Sequence, residues 1–215
     1  MDFTEKEIEV RNSVVNTNNS VNNTDVYNEL MLRRLEEIAP QPAPSTYKVF
    51  TGLLTQSGGD DPQFLINTDN GNIIVGKTYE ISNYDASDDF TNIGAPSNAN
   101  GVKFIGTGTT ATSWSGTTEL NYNNAAPTVT ILENTLGNVW FEYVNVGGYV
   151  FRSNGLLNEN KSLYFAQNNN LNDLTYLFLT NGGAPNYIDI TCSNILGQGT
   201  DNLMFKNPFE VRTYN

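Results

Sequence analysis

Two groups of carboxylates crowd oxygen ligands together: Asp60-Asp61, and Asp85 with Asp88 and Asp89. A calcium ion needs six or more oxygens delivered by a loop of defined spacing. Neither group has that spacing, so both read as solvated turn residues. Carboxylates also work in pairs as acid and base, as in glycosidases. Residues 45–215 carry 15 acidic side chains, scattered so that no two are singled out. Histidine is absent. That removes the usual base at neutral pH and with it the Ser–His and Cys–His nucleophile pairs. Cys192 is the single cysteine. It can close no internal disulfide, matches no zinc spacing and reads as a small buried strand residue. Gly106-Thr107-Gly108-Thr109 is rich in glycine, but no helix pattern follows it, so it reads as a strand end or turn. Trp114 and Tyr122 are aromatics that can stack on a sugar, or fill a core or an interface. No catalytic, cofactor or metal residue is assigned, and the expectation is a protein that is not an enzyme.

The balance of residue types excludes further classes. The formal net charge of the 215-residue chain is -12, which repels a phosphate backbone, so no nucleic-acid partner is expected. The charge is spread out. Residues 1–44 hold 4 basic and 8 acidic side chains, and residues 45–215 hold 7 and 15. No apolar run is long enough for a membrane helix, and the acidic start lacks a leader's apolar segment. Synthesis in a cytoplasm and no membrane partner are therefore expected. Charged residues make up only 16% of the chain, and 33 asparagines with many Thr, Ser and Gly fill the gap. Asn and Gly favour turns, while Thr, Tyr and Phe favour strands. Many short strands with tight turns follow.

Three zones position these residues. Residues 1–39 lack strand alternation and read as an assembly arm. Residues 40–46, Pro-Gln-Pro-Ala-Pro-Ser-Thr, form a stiff extended linker. Residues 47–215 read as a β domain. Within the arm, Asp25 caps a helix from Val26 to Ala39 that Pro40 stops. A longer pattern underlies it. Val10, Val14, Thr17, Val21, Thr24, Asn28, Met31, Leu35 and Ile38 recur in alternating steps of four and three. That is a heptad, and β-branched residues at both core positions favour a trimer over a dimer. The asparagine-rich start is a poor helix former, so an extended arm around residues 1–24 stands beside the coiled coil as an alternative. In the β domain, strands are expected near 47–54, 63–67, 72–75, 78–82, 102–107, 128–132, 138–144, 148–152, 162–166, 174–180, 187–191, 203–206 and 208–214. This spacing predicts a mainly β fold, an antiparallel β-sandwich or jelly-roll-like domain.

Several stretches carry a resemblance. Tyr47-Lys48-Val49-Phe50-Thr51-Gly52-Leu53-Leu54-Thr55-Gln56-Ser57-Gly58 resembles the opening of a β module in virion and tail-associated proteins of phages infecting Bacteroidetes such as Flavobacterium. In such modules the opening runs straight on to a segment like Ala126-Pro127-Thr128-Val129-Thr130-Ile131-Leu132-Glu133-Asn134-Thr135-Leu136-Gly137. A Trp and a Gly-Tyr strand follow, here Trp140 and Gly148-Tyr149. Pro208-Phe209-Glu210-Val211-Arg212-Thr213-Tyr214-Asn215 is similar to their closing strand. Residues 67–126 depart from this pattern and look like a second small β module inserted between the halves.

The resemblance implies a structural component of a bacteriophage virion, made in the host cytoplasm. It would be a fibre, spike or capsid-decoration subunit, a head fibre for example, held by its arm. A homo-oligomer, with a trimer favoured, and other capsid or tail proteins are the implied partners. The alternative is a tip protein that attaches to a host-surface glycan; a third reading is a carboxylate glycosidase. The resemblance implies no catalytic residue and no cofactor.

Overall fold

The computed structural model describes residues 47–157, 160–167, 176–181, 187–194 and 196–214. The arm, its heptad residues Val10 to Ile38 and the proline-rich linker lie outside the described residues. The described chain is mainly β. In order its strands are β1 (Tyr47–Thr55), β2 (Pro62–Leu65), β3 (Thr78–Ser82), β4 (Lys103–Ile105), β5 (Glu119–Asn123), β6 (Thr128–Asn134), β7 (Val139–Asn145), β8 (Gly148–Ser153), β9 (Ser162–Ala166), β10 (Tyr176–Asn181), β11 (Tyr187–Ser193) and β12 (Asn207–Tyr214). Two short 3-10 turns, Asn67–Asp69 and Thr91–Ile93, are the only helical pieces among the described residues.

The strands form three four-stranded antiparallel sheets, ordered β6-β1-β12-β9, β10-β11-β8-β7 and β2-β5-β3-β4. The first two face each other across one core, which gives a sandwich-like body. Alternation builds that core, because successive side chains on a strand point to opposite faces. Phe50 and Leu54 of β1 and Phe209 and Val211 of β12 point inward from one sheet. Phe141 of β7, Phe151 of β8 and Ile188, Ile190 and Cys192 of β11 point inward from the other.

Four phenylalanines form the centre. Phe50, Phe209, Phe141 and Phe151 are each at most 1% exposed. The widest of their six ring pairs, Phe50–Phe209, has centroids 6.3 Å apart, and the closest, Phe151–Phe209, 5.1 Å. Tilted and edge-on pairs at such distances add to the burial of apolar area. Gly52 makes room for this packing: it lies opposite Phe209 in the ladder, and a Cβ there would come within 2.5 Å of Val129 Cγ2.

The third sheet has its own core. Tyr79, Ile81, Phe104 and Leu120 point to one side, where Ile73, Phe90, Ile93 and Trp114 cover them. All the described ladders of β2, β3, β4 and β5 run among those four strands. Meanwhile β1 and β6 are antiparallel neighbours, with Thr55 opposite Thr128. The chain thus leaves the sandwich after β1, builds the small sheet and returns beside its point of departure. Gly76 joins the two parts. Its N–H donates to the Gly106 carbonyl (2.7 Å) and its carbonyl accepts from Val129 N–H of β6 (2.9 Å). Its φ of +89° and a would-be Cβ only 2.1 Å from the Val129 carbonyl both require glycine.

Some expected strands are not formed. At 72–75, Ile73 sits in the small core. The backbone of Ile74 is taken by the Tyr79 hydroxyl (2.8 Å) and by the turn bond from Lys77 N–H. At 203–206 the extended run is broken by the left-handed residues Asn202 (φ 63°) and Lys206 (φ 52°). Strand β5 forms in a stretch outside the expected strands, because its alternating Leu120 and Tyr122 supply an apolar face.

Candidate functional site

Strand β7 is an edge of the second sheet, and its free edge meets the small sheet. An edge strand presents backbone groups that need partners. Here Phe141 N–H donates to Thr78 Oγ1 of β3 (3.0 Å), and Asn138 Nδ2 donates to the Lys103 carbonyl of β4 (2.9 Å). The face of the small sheet away from its core is polar by alternation: Glu80 on β3, Asn121 and Asn123 on β5, and Lys103 on β4. Two residues break the pattern, and one of them, Ile105 of β4, is buried in the sandwich core. The other, Phe64 of β2, directly across from Asn121, is 60% exposed. Between this face and β7 lies an open cleft of about 550 Å³, lined among others by Phe64, Glu80, Asn121, Asn123, Glu142 and Tyr143.

The end wall of the cleft is a network of charges. Lys103 Nζ donates to Glu142 Oε1 (2.8 Å) and stands 3.5 Å from Glu80 Oε2. Arg152 Nε donates to Glu142 Oε2, and Trp140 Nε1 donates to Glu142 Oε1 (3.0 Å). Burial alone would raise the Glu142 pKa, but the hydrogen bonds from Lys103, Trp140 and Arg152 outweigh it and hold the carboxyl below its ordinary value. Lys103 behaves in the mirror sense. Burial lowers it, and Glu142 and Glu80 together raise it above its usual value. Glu142 is therefore ionised at neutral pH and unsuited to act as a general acid, which needs a raised pKa. Its role in this geometry is to tie three elements together: β4, β7 and β8.

The two acidic groups are built into their own loops. Asp89 Oδ1 accepts from Thr91 N–H (2.9 Å), Thr91 Oγ1 (2.7 Å) and Asn98 Nδ2 (2.9 Å). Asp85 Oδ1 accepts from both Ser87 N–H (2.9 Å) and Ser87 Oγ (2.6 Å). Asp88 is buried and accepts from Ser115 N–H (2.7 Å) and Gly116 N–H (3.2 Å). Asp60 and Asp61 accept from Asn123, Gln63 and Asn124. These carboxylates satisfy turn backbones and neighbouring amides, as short polar side chains do in loops. Among the described residues no group of three or more acidic or Cys side chains is placed to hold a metal ion.

Trp114 is buried against Phe90 with an edge-on ring contact of 5.4 Å, and its Nε1 donates to the Thr118 carbonyl (2.8 Å). It is core, with no face left for a ligand. Tyr122 packs edge-on against Tyr79 at 5.5 Å under Lys77 Nζ, which lies 4.6 Å from its ring centroid. Cys192 is buried, and burial pushes its thiol up to about 12, so it is not a nucleophile at neutral pH. A second polar centre closes the far loop. Asp201 Oδ1 accepts from Gly147 N–H (2.8 Å) and from the Tyr149 hydroxyl (2.7 Å), whose pKa is pushed up by burial and by this carboxylate.

Sequence reading did not single out Phe64, Glu80 or Glu142. The usable signal was in β7, where Trp140 and Glu142 share the face opposite Phe141. Among the described residues no helix is long and apolar enough to cross a membrane. Comparison with protein-family models, with curated proteins and with solved structures finds no match for this chain.

Proposed function

We propose that this chain is a structural component of a bacteriophage virion, a fibre, spike or decoration subunit anchored through residues 1–39. One observation carries the reading. The three stretches that resemble virion β modules, 47–58, 126–137 and 208–215, supply β1, β6 and β12, which lie side by side in one sheet. Segments that run on directly in such modules are neighbours here, with Thr55 across from Thr128. The intervening stretch, expected as 67–126 but starting earlier because β2 (Pro62–Leu65) already pairs with β5, reads as a β subdomain inserted into a parent sandwich. Insertion is tolerated where two chain ends lie close together on a surface.

In this reading the arm is the docking element and a trimer is its favoured state, through Val10, Val14, Thr17, Val21, Thr24, Asn28, Met31, Leu35 and Ile38. The partners are other capsid or tail proteins. The test is deletion of residues 1–39. The truncated protein should fold to a β domain and fail to join particles. Normal incorporation of the truncated protein would overturn the proposal.

A further inference from the structure

The cleft between the small sheet and β7 does not follow from an assembly role, and it has the chemistry of a binding site. Its volume, about 550 Å³, is that of a small-molecule site. Phe64 sets a ring that is 60% exposed on the open, polar part of the sheet face, inside the cleft. Phe64 is set beside an amide, Asn121, in register across the β2–β5 ladder. That amide is held in place: Asn121 Nδ2 donates to Ser82 Oγ (3.0 Å), leaving Oδ1 to accept. Asn123 is fixed likewise, its Nδ2 on Asp60 Oδ1 (2.8 Å) and its Oδ1 taken by Ala125 N–H (2.8 Å). Glu80, with 42% of its side chain exposed, adds a carboxylate to the same floor.

An exposed ring flanked by oriented amides and a carboxylate matches a pyranose. The ring takes the sugar's C–H face, while amide and carboxylate oxygens take its hydroxyls. The charges decide which sugars. The cation of the cleft, Lys103, is shared between Glu142 and Glu80, and the chain is strongly acidic, with a net charge of -12. Anionic sugars are repelled. An apolar ligand would cover the Glu80 carboxylate and the Asn121 amide oxygen while offering neither a hydrogen bond. We infer that this cleft binds a neutral oligosaccharide, with Phe64 as the stacking platform and Asn121 and Glu80 as hydroxyl partners. The inference does not rest on a virion role and fails or stands separately from it.

The experiment uses the purified full-length chain and four neutral probes: cellotetraose, maltotetraose, mannotetraose and tetra-N-acetylchitotetraose. Saturation-transfer NMR and titration calorimetry read binding. At least one probe should bind, and Phe64→Ala should weaken it roughly tenfold, the effect of losing one stacking contact. Asn121→Ala should weaken it as well. Phe205→Ala, which removes a ring that is 68% exposed outside the cleft, should leave it unchanged. Thermal melts of each variant separate lost binding from lost fold. Absence of binding by all four probes overturns the inference. So does binding that Phe64→Ala and Asn121→Ala leave intact in folded protein, or a Phe64-dependent self-association with no sugar bound.

Discussion

Lys103 Nζ of the small sheet lies 2.8 Å from Glu142 Oε1 of the sandwich, so a single ion pair spans the junction of two separately built sheets. Both side chains are mostly covered, at 32% and 23% exposure. Removing one partner strands the other in a partly desolvated site. Glu142→Gln and Lys103→Met should each destabilise by about 1–3 kcal/mol, and the double variant by less than the sum. Chemical denaturation of the four proteins measures this; strict additivity would show that the pair does not couple the sheets.

The same pair sets a pH window. Glu142 is held below its ordinary value of 4.5, so its contribution is fully present above that value and is lost as pH falls through the lower folded-state value. Lys103 is held above its ordinary 10.5, so its contribution is present below that value and is lost as pH rises through the higher folded-state one. Stability measured against pH should show an acid limb that is shallower in Glu142→Gln. An acid limb of unchanged slope would assign the acid sensitivity to other carboxylates.

Phe151→Ala opens a hole in the quartet of rings that joins the two large sheets. It should cost about 3–5 kcal/mol, the usual range for a fully buried phenylalanine. Ile105 of β4 reaches into that core, but the other buried side chains of the small sheet fill a core of their own. The near-UV signal of Trp114, which lies in the small core, should therefore change less than that of the whole protein at moderate denaturant. Simultaneous loss of both signals would show that the two cores melt as one unit.

Gly76→Ala places a Cβ against the Val129 carbonyl at a residue with φ of +89°. It should destabilise by about 1–3 kcal/mol, the cost of strained backbone at such a site. Hydrogen exchange should speed at Val129, whose N–H bonds the Gly76 carbonyl. An unchanged exchange rate at Val129 would mean that the strain is relieved elsewhere.

Leu35→Asp with Ile38→Asp tests the proposed trimer. Charges in a buried seam are costly, so the double variant should lose mass in light scattering while the β domain keeps its circular dichroism. An oligomer of unchanged mass would remove the heptad from the assembly.

Much of the β domain was legible because alternation was strong. Thr78 to Ser82 and Ser162 to Ala166 form strands with the expected bounds. Strand β5 was not, because Glu119-Leu120-Asn121-Tyr122-Asn123 has turn formers at alternate positions. In the folded chain those asparagines face the cleft while Leu120 and Tyr122 face the core, so a polar functional face disguises a central strand. The carboxylate network was illegible for a different reason. Glu142 meets Lys103 from 39 residues away in sequence and Arg152 from 10 away. Arg152 reaches Glu142 within the β7–β8 hairpin, but Lys103 meets it only because two sheets dock, and no local spacing encodes that.

The placement of β1 has a mechanical consequence. It lies between β6 and β12, and its ladder with β12 runs from Tyr47–Tyr214 to Leu54–Asn207. A pull on residue 47 against a point at the far end of the sheet loads both ladders lengthwise, so their rungs share the force and must yield together. A pull between residues 47 and 214, which are paired at one end, opens the same ladder one rung at a time. Single-molecule stretching along the two directions should therefore give a high rupture force for the first and a low one for the second. A subunit tethered through the segment ahead of Tyr47 and gripped at its opposite pole would be loaded in its strong direction.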